Sequence, residues 1–525
     1  MWSTDWGSLG TLTKKVTVVA VILALAAMLS QLLSFQGSAG GGGPTVSSGQ
    51  SLPSRAGRIV LISPRAAQTV LGLGASGAWW SGPIYGFGAA TRAKVGQLLF
   101  SSSGLELSDF RYNLGGGGVG VTTPWKAPPN LMGPRGTIDL SKDPAGLFFL
   151  EQAHSYGVRS LTGFVNSAPR QFVSNGANCG GTLLASKIPA FAHYLTAVSV
   201  QLHRQLGINL NYVSPMNEPA GSQKACRQEG MAVPVSERAN LVITLGKDLA
   251  RSAPWSHVMA DESSTIVRQA TEQLPKWAFT KGVSKYLAVF AHHGYDFPTD
   301  EQLSTFASLE HKLHRPSWST EICCYDGASF GYQYDPTITS GIWLAHYIYQ
   351  QFTFGGDSGF DWWTALSPDL GCSPSLSPGC FRQVNALGRN DGLIYYDLSG
   401  ATNGDRALYK TKRYFVFGNF SRYIRPGYRI HKVTGFTKGI EVVAANKGSR
   451  WVVVLIDHQP SGSRPLRVDI ELPLSRGIEP TSVNGVVTSA TQSWANAPSA
   501  SIVGTSVRCI VDSQSVTTYA IQVGS

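Results

Sequence analysis

Two glutamates occupy positions where a pair of carboxyl groups could act together. Glu218 ends a strand-like run within an Asn-Glu-Pro motif, and Glu321 lies near the end of a second run, residues 317–322. In a barrel of alternating strands and helices, catalytic side chains lie at the carboxyl ends of strands, so the two can face each other across one cleft. Glycoside hydrolysis requires such a pair, one group to protonate the leaving oxygen and the other to attack or to activate water. Each glutamate taken alone is more often a structural salt-bridge partner.

Several tryptophans beside glycine or proline are candidates for stacking on the apolar face of a sugar ring. Packing in a hydrophobic core is an equally good explanation for any one of them. These residues are Trp79, Trp80, Trp125, Trp362 and Trp363.

Polar side chains end three further strand-like runs. One run stops beside four consecutive glycines, which allow the backbone to approach a ligand closely. A second ends in a histidine and a tyrosine that can hold a carboxylate by hydrogen bonding, and a third contains an aspartate that could accept hydrogen bonds from sugar hydroxyls. The side chains concerned are Arg111 and Asn113, His293 and Tyr295, and Asp361.

The elements that would position these residues alternate along the chain. From about residue 90 to residue 397, strand-like and helix-like segments follow one another, which predicts a parallel sheet of the size of a closed (β/α)8 barrel. After about residue 410 the segments are short and β-branched with turns between them, which predicts an antiparallel β-domain. The candidate barrel strands are 109–114, 159–165, 212–216, 257–261, 289–293, 317–322 and 359–363.

Composition and charge exclude several classes of protein. The 525 residues are 43% hydrophobic, 10% aromatic and 14% charged, which excludes intrinsic disorder, collagen and coiled coil. A polytopic membrane protein is excluded because only one apolar run is long enough to cross a bilayer. The net charge is +11, but no nucleic-acid motif accompanies it, so we expect no nucleic-acid partner. A solvated basic surface or binding of an anionic polymer explains the charge.

The N-terminal segments indicate export. Residues 16–35 carry no charge, follow two lysines and precede a Gly/Ser-rich linker at 36–56, with residues 1–15 as a short cytoplasmic N-terminus. They are either a cleaved signal peptide or a single membrane anchor. Both alternatives place the rest of the chain outside the cytoplasm, secreted or anchored.

Seven cysteines in an exported chain suggest disulfides. Cys372 and Cys380 flank a Ser/Pro loop, and Cys179 and Cys226 lie in loops after apparent strands, so each pair could form a bridge. Two of the other three are adjacent, and the odd number leaves one thiol unassigned. No repeated CxxC and no HExxH is present, and we expect neither a metal nor another cofactor in the reaction.

Two short motifs match other chemistries but lack the elements that these need. Residues 72–77 fit GxGxxG, yet two tryptophans, a serine, a glycine and a proline follow where a dinucleotide site needs a helix. Residues 327–331 fit the GxSxG elbow of esterases, but the next residues delay the helix that an elbow requires. Neither motif changes the prediction.

At these residues the sequence resembles glycoside hydrolase family 30, of the clan of retaining (β/α)8 glycosidases. The resemblance covers about residues 57–525 and is carried by GLGASGAWW, RYNLGGGGVG, FVNSAPRQF, SPMNEP, HHGYD, WSTEICC and DWWTAL. Within the family the chain is most similar to endo-β-1,6-galactanases, through ASGAWW, RYNLGGGG and WSTEICC. The resemblance implies a barrel fused to a β-sandwich made from the C-terminal strands and the strand before the barrel.

The resemblance also implies roles for individual residues. Glu218 would be the acid/base and Glu321 the nucleophile, with Arg111 beside the nucleophile and Tyr295 orienting it. Four residues would bind the sugar in or near the donor subsite: Asn217, at the 2-hydroxyl, Asn166, Asp361 and Trp362.

Residues and resemblance together predict a retaining glycosidase that acts on a polysaccharide or oligosaccharide. We expect strands that enter the barrel at 57–89, a catalytic barrel at 90–410 and a β-sandwich at 411–525. The favoured substrate is β-1,6-linked galactan, as on arabinogalactan side chains. β-1,6-Glucan, glucosylceramide and xylan are alternatives for the same mechanism, and a non-catalytic glycan-binding surface protein is an alternative of another class. Endo or exo action and the oligomeric state are left open.

Overall fold

The computed structural model describes residues 57–221, 223–324 and 333–524. The predicted segments 1–15, 16–35 and 36–56 lie outside the described residues, as does the GxSxG match at 327–331. Within the described part of the chain, no helix is both long and apolar enough to cross a membrane.

The described strands are numbered in chain order. They are β1 (Arg58–Thr69), β2 (Gly72–Ser76), β3 (Asp109–Asn113), β4 (Ser160–Phe164), β5 (Gly181–Thr182), β6 (Tyr212–Ser214), β7 (Met231–Ala232), β8 (His257–Ser263), β9 (Leu287–His293), β10 (Ser317–Glu321), β11 (Gly359–Trp362), β12 (Thr364–Ser367), β13 (Gly392–Tyr395), β14 (Tyr409–Lys410), β15 (Arg429–Phe436), β16 (Ile440–Lys447), β17 (Arg450–Asp457), β18 (Leu466–Glu471), β19 (Glu479–Thr488), β20 (Ala495–Asn496), β21 (Ser501–Val503), β22 (Ser506–Val511) and β23 (Ser515–Gly524).

The described α-helices are numbered in the same way. They are α1 (Ser81–Tyr85), α2 (Ala89–Phe100), α3 (Pro144–Ser155), α4 (Ile188–Leu206), α5 (Val235–Ser252), α6 (Thr271–Trp277), α7 (Val283–Tyr286), α8 (Asp300–Glu310), α9 (Ile338–Gln350), α10 (Gly400–Asn403) and α11 (Lys412–Ser421). Two short π-helical turns, Ile266–Ala270 and Gln351–Gly355, adjoin α6 and α9.

Eight strands close into a barrel in the order β2-β3-β4-β6-β8-β9-β10-β11. All neighbouring pairs are parallel, and at least one helix follows each strand along the chain. Parallel strands with helical crossovers bury both faces of the sheet, which is why runs such as β4 and β9 are almost entirely buried. The predicted (β/α)8 barrel is confirmed.

The GxGxxG match forms barrel strand β2. A Cβ atom added to Gly74 would overlap the side chain of Asp361 on β11 and the backbone of Asp109 on β3. Glycine is therefore needed here for close packing of three neighbouring strands inside the barrel. The short helix α1 follows β2 only after the two tryptophans, so the run does not form a dinucleotide-binding turn.

Ten strands form a second sheet, in the order β20-β19-β23-β17-β16-β15-β1-β18-β22-β21. Its pairs are antiparallel except for β1 with β18, so the strand that precedes the barrel completes the C-terminal sheet. Successive residues of β17 point to opposite faces: Trp451, Val453 and Leu455 belong to a core within the sheet domain, and Val452 and Val454 belong to the core shared with the barrel. The antiparallel domain that the sequence predicts is confirmed, and both of its faces are covered.

Three disulfides are present. The bridges Cys179–Cys226 and Cys372–Cys380 confirm the two pairs that the sequence suggested. The adjacent residues Cys323 and Cys324 are bonded to each other, and Cys509 is a buried free thiol on β22. The sequence did not indicate the adjacent bridge.

Candidate active site

A cleft of about 310 Å³ opens at the carboxyl ends of the barrel strands. Polar and aromatic side chains from loops after several strands line it. Of the residues that the sequence offers for catalysis or sugar binding, those lining the cleft are Trp79, Trp125, Asn217, Glu218, Tyr295, Glu321 and Trp363.

Glu218 and Glu321 lie next to each other in this cleft. Glu218 follows β6 with 22% of its side chain exposed, and Glu321 is the last residue of β10 with 5% exposed. One oxygen of each carboxylate and a ring nitrogen of His293 all lie within 4.8 Å of one another. The barrel therefore brings two carboxyl groups from different strands to a single point.

Two donors hold the carboxylate of Glu321. Arg111, fully buried on β3, donates from Nη1 to Oε2 at 3.1 Å, and the hydroxyl of Tyr295 donates to Oε1 at 3.0 Å. Both carboxylate oxygens are thus fixed in position, one by a cation. This arrangement orients Glu321, and the charge of Arg111 acts in favour of its ionised form.

A third carboxylate, Glu262 at the end of β8, lies buried behind the pair. It accepts hydrogen bonds from Arg111 Nη2 at 3.2 Å and His293 Nε2 at 3.1 Å, and from the hydroxyl of Thr320. Burial alone would raise the pKa of Glu262, but Arg111 and the hydrogen bonds lower it to about 2. Glu262 is therefore a fixed negative charge beneath the cleft. It was not among the predicted site residues, although it directly follows the predicted barrel strand 257–261, a placement that could have indicated it.

His293 lies between the three carboxylates. Burial would lower the pKa of its imidazole, but Glu321, Glu218 and Glu262 raise it to about 10, so the ring is charged at neutral pH. Its Nδ1 lies 3.4 Å from Glu218 and 3.8 Å from Glu321. A charged imidazole has no lone pair for a metal, which argues against His293 as a metal ligand.

The two cleft carboxyl groups differ in their electrostatic surroundings. Burial would raise the pKa of both. At Glu218 the hydrogen bond and charge of His293 outweigh burial and lower the pKa, whereas at Glu321 burial prevails and raises the pKa. The charge of His293 acts to lower the pKa of both carboxyl groups.

Three asparagines form a chain that runs away from the cleft. Asn217 donates from Nδ2 to Asn166 at 3.1 Å, and Asn166 donates to Asn113 at 3.4 Å. Within the described part of the chain, Asn217 Oδ1 has no hydrogen-bond partner. Asn113 and Asn166 are buried and support Asn217, which alone of the three faces this cleft.

Trp363 is half-buried and forms one wall with two other tryptophans. Its ring lies 4.9 Å from that of Trp79, edge to face, and Trp125 lies 6.3 Å from Trp79. Lys126 lies over the rings of Trp79 and Trp125 at 5.0 Å and 4.8 Å. The adjacent bridge Cys323–Cys324, two residues beyond Glu321, lines the same cleft.

Besides Asn166, three residues expected to contact sugar do not reach the cleft. Trp80 is fully buried, with its ring 4.6 Å from Phe149, and Trp362 is fully buried with its Nε1 donating to a backbone carbonyl. Neighbouring residues in an extended chain point to opposite sides, so where Trp363 faces the cleft Trp362 faces the core. Asp361 is buried beside Asp109 inside the barrel, and burial with this neighbouring charge raises its pKa well above the usual range.

Comparisons with known proteins agree with this fold. The family model described as O-Glycosyl hydrolase family 30 matches residues 57–286. A conserved exported protein from Bacteroides fragilis superposes with a TM-score of 0.73 at 20% identity, covering 88% of this chain and 100% of that one. The catalytic domain of GH30 xylanase C from Talaromyces cellulolyticus gives 0.66 at 21% identity, with 88% and 100% covered.

An endo-β-1,6-glucanase structure also superposes, with a TM-score of 0.64 at 16% identity, covering 91% of this chain and 95% of that one. At these identities the solved structures show a shared fold. The family model adds the sequence match, which includes the barrel strands from β2 to β8. Residues 57–286 therefore match glycoside hydrolase family 30, and this match confirms the resemblance to the family over that part of the chain.

Proposed function

We propose that this protein is a retaining glycoside hydrolase that works by double displacement, with Glu321 as nucleophile and Glu218 as acid/base. The observation that carries the proposal is the close approach of the two carboxylates, oxygen to oxygen within 4.8 Å. Retaining enzymes keep their carboxyl groups about 5–5.5 Å apart, whereas inverting enzymes need about 6.5–9.5 Å to fit a water molecule. The short separation favours attack by a carboxylate over attack by water.

In the first step Glu321 attacks the anomeric carbon while Glu218 protonates the departing oxygen. A covalent glycosyl-enzyme forms, and Glu218 then takes a proton from the water that releases the sugar. Arg111 and Tyr295, which hold both oxygens of Glu321, orient it for attack and stabilise its charge when the sugar leaves.

His293 assists the acid/base through its permanent charge. After Glu218 has given up its proton, the imidazolium at 3.4 Å stabilises the carboxylate that must act as base in the second step. The same charge lowers the pKa of Glu218, so the protonated form needed for the first step prevails only at acidic pH. The ionised form of Glu321 that must attack prevails only above its own raised pKa, so the two required forms coexist best between the two pKa values. We therefore expect an acidic pH optimum.

The favoured substrate is β-1,6-linked galactan. The support is the similarity of ASGAWW, RYNLGGGG and WSTEICC to endo-β-1,6-galactanases. The tryptophan wall of Trp79, Trp125 and Trp363 suits a chain of pyranose rings. β-1,6-Glucan and xylan are the alternatives, since solved structures of this fold are named as a glucanase and as xylanases.

The three disulfides favour a site of action outside the cytoplasm, where thiols stay oxidised. The polysaccharides proposed as substrates also lie outside the cytoplasm. The proposal therefore keeps the predicted secretion or anchoring, with an extracellular glycan as the partner.

The proposal is tested by digestion of polymers with residues 50–525. De-arabinosylated arabinogalactan, β-1,6-glucan and xylan are incubated with the wild type and with Glu321→Gln, and products are resolved by size. We expect β-1,6-galacto-oligosaccharides from the wild type only, and their length distinguishes endo from exo action.

The other outcomes are equally clear. Release from glucan or xylan alone would keep the mechanism and discard galactan as substrate. Binding of a polymer without any release by the wild type would favour the non-catalytic glycan-binding protein. Equal release by Glu321→Gln would remove Glu321 as the nucleophile.

A further inference from the structure

A second cluster of ionisable side chains is buried outside the barrel wall, behind the active site. His292 on β9, Glu310 at the end of α8 and Asp357 before β11 are at most 4% exposed. His292 Nε2 lies 3.0 Å from Asp357 Oδ1 and 4.0 Å from Glu310 Oε1, and the three ligand atoms all lie within 4.8 Å of one another. Two aromatic rings, Phe290 and Phe306, pack against the imidazole.

The two ring nitrogens of His292 face different groups. Its Nδ1 lies 3.1 Å from the backbone carbonyl of His293, and its Nε2 is hydrogen-bonded to Asp357 Oδ1 at 3.0 Å. With an ion bound between His292 and the carboxylates, the ring would donate from Nδ1 to the carbonyl, and the lone pair of Nε2 would face the ion. A histidine that donates one ring N–H to a backbone carbonyl and turns the other nitrogen inward has the usual arrangement of a metal ligand.

Other buried polar atoms around the cluster also lack protein partners. Within the described residues, none hydrogen-bonds Glu310 Oε1, Asp357 Oδ2 or either atom of the fully buried Gln351 amide. Asp357 Oδ2 and Gln351 Oε1 both face the point beside Gly355 where a Cβ would stand, at 2.9 Å and 3.4 Å. Unpaired buried polar atoms are costly, so their presence beside the cluster favours a bound ion.

We propose that His292, Glu310 and Asp357 bind a zinc ion that fastens α8 and the segment before β11 to the outside of the barrel. A neutral imidazole and two carboxylates carry two negative charges, which one divalent cation neutralises. Tetrahedral ligands at about 2.1 Å from zinc lie about 3.4 Å apart, between the two observed separations. The ion is structural and takes no part in the reaction proposed above.

Protonation of one carboxyl group is the competing arrangement. Burial and the charge of Asp357 raise the pKa of Glu310 well above its usual range, so a neutral Glu310 would also relieve the repulsion. Glu310→Gln separates the two explanations, because glutamine imitates the protonated acid but is a poor zinc ligand. The variant keeps or gains stability if Glu310 is protonated and loses it if Glu310 binds zinc.

The test compares zinc content and thermal unfolding of the wild type, Glu310→Gln, Asp357→Asn and Glu441→Gln. The last variant is the matched control, because a partly exposed cluster of His346, Glu441 and His458 could also bind zinc. Each protein is loaded with Zn²⁺, dialysed and analysed by mass spectrometry of the metal, then reheated after treatment with a chelator.

We expect about one zinc per chain in the wild type and in Glu441→Gln, and at least a tenfold lower content in the other two variants. The chelator should lower the unfolding temperature of the first two proteins only. A wild type without zinc, or zinc that is lost with Glu441→Gln instead, overturns the proposal. If neither variant at the cluster folds, the zinc content of the wild type and of Glu441→Gln decides alone.

Discussion

At the scale of single residues, His293 links the proton transfers of the proposed reaction to the charges beneath the cleft. Glu262 lies 3.1 Å from one of its nitrogens and Glu218 lies 3.4 Å from the other. The buried negative charge of Glu262 keeps the imidazole protonated, and the imidazolium in turn sets the pKa of both cleft carboxyl groups. In the proposed reaction Glu262 is therefore a positioning residue that acts through His293 and Arg111.

Replacing His293 with glutamine should move the whole pH profile of kcat/KM toward alkaline pH. The positive charge lowers the pKa of Glu218 and opposes the rise in that of Glu321, so its removal raises both. Because the pKa of Glu218 lies below that of Glu321, the acidic limb reports the pKa of Glu218 and the basic limb that of Glu321, so both limbs should rise by about one pH unit. Initial rates between about pH 3 and pH 9 measure this shift.

His203→Gln, at the end of α4, is the matched control and should leave the profile unchanged. A loss of rate without any movement of either limb would mean that His293 has only a steric role. In that case the proposed effect of the His293 charge on the pKa of Glu218 would be wrong.

Trp363→Ala should weaken substrate binding more than the chemical step. The ring lines the cleft and forms a wall with Trp79, so we expect KM to rise about tenfold, or about 1.4 kcal/mol, with little change in kcat. Trp255→Ala, a half-buried tryptophan at the amino end of β8, serves as control. Equal effects of the two substitutions on KM would show that the wall does not bind sugar.

The pattern of strand ends was sufficient to predict Glu218 and Glu321 as neighbours, and the resemblance to the family placed Arg111 and Tyr295 beside Glu321. It could not tell which of two adjacent tryptophans faces the cleft, because that depends on the exact end of each strand. Trp80 and Trp362 were predicted to contact sugar, and both are buried. A single sequence also does not indicate a bridge between Cys323 and Cys324, since it does not show the local backbone conformation that such a bridge needs.

At the scale of elements, loops that are distant in sequence are fixed to one another around the cleft. The bridge Cys179–Cys226 joins the loop after β4 to the loop after β6. Glu229, in the second of these loops, accepts hydrogen bonds from the backbone of Gly116 and Gly118 at 3.0 Å and 2.8 Å. The backbone N–H groups of the glycine run therefore bind a side chain of the protein itself. The sequence did not indicate this contact because the two segments are over 100 residues apart.

Removing the bridge with Cys179→Ser and Cys226→Ser should lower the free energy of unfolding by about 2–4 kcal/mol. The bridge closes a segment of 47 residues, and its loss frees the unfolded chain and loosens the loop that carries Glu229. Denaturant unfolding followed by tryptophan fluorescence measures the change.

The double variant Cys372→Ser with Cys380→Ser provides the comparison. Its bridge closes only an eight-residue loop, so its removal should lower the free energy of unfolding by less. A larger loss from this second variant would contradict the loop-closure argument.

At the scale of the whole molecule, the barrel and the C-terminal sheet share one hydrophobic core. Val452, Val454, Ile456 and Val516 from the sheet pack in the cluster that also contains the barrel helices. The sequence pattern predicted both architectures, because strand-like and helix-like segments alternate in the barrel and short strand-like segments follow one another in the C-terminal sheet. It did not predict the shared core, since β17 is apolar on both faces and periodicity cannot show what covers the second face.

Residues 57–410 alone should fail to fold. The side chains of Val452, Val454, Ile456 and Val516 each contribute about 1.5–3 kcal/mol on burial, and their loss is comparable to the whole stability of a typical domain, about 5–15 kcal/mol. Circular dichroism of residues 57–410 and of 57–525 during heating measures this. Cooperative unfolding of the shorter chain at the same temperature as the longer one would show that the domains are independent.

The stereochemistry of hydrolysis tests the central claim most directly. A polymer that the enzyme cleaves is digested in an NMR tube, and the anomeric proton of the first product is followed before mutarotation. Double displacement by Glu321 and Glu218 predicts that the β-anomer appears first and the α-anomer follows slowly. Appearance of the α-anomer first would show single displacement by water and would contradict the assignment of Glu321 as nucleophile.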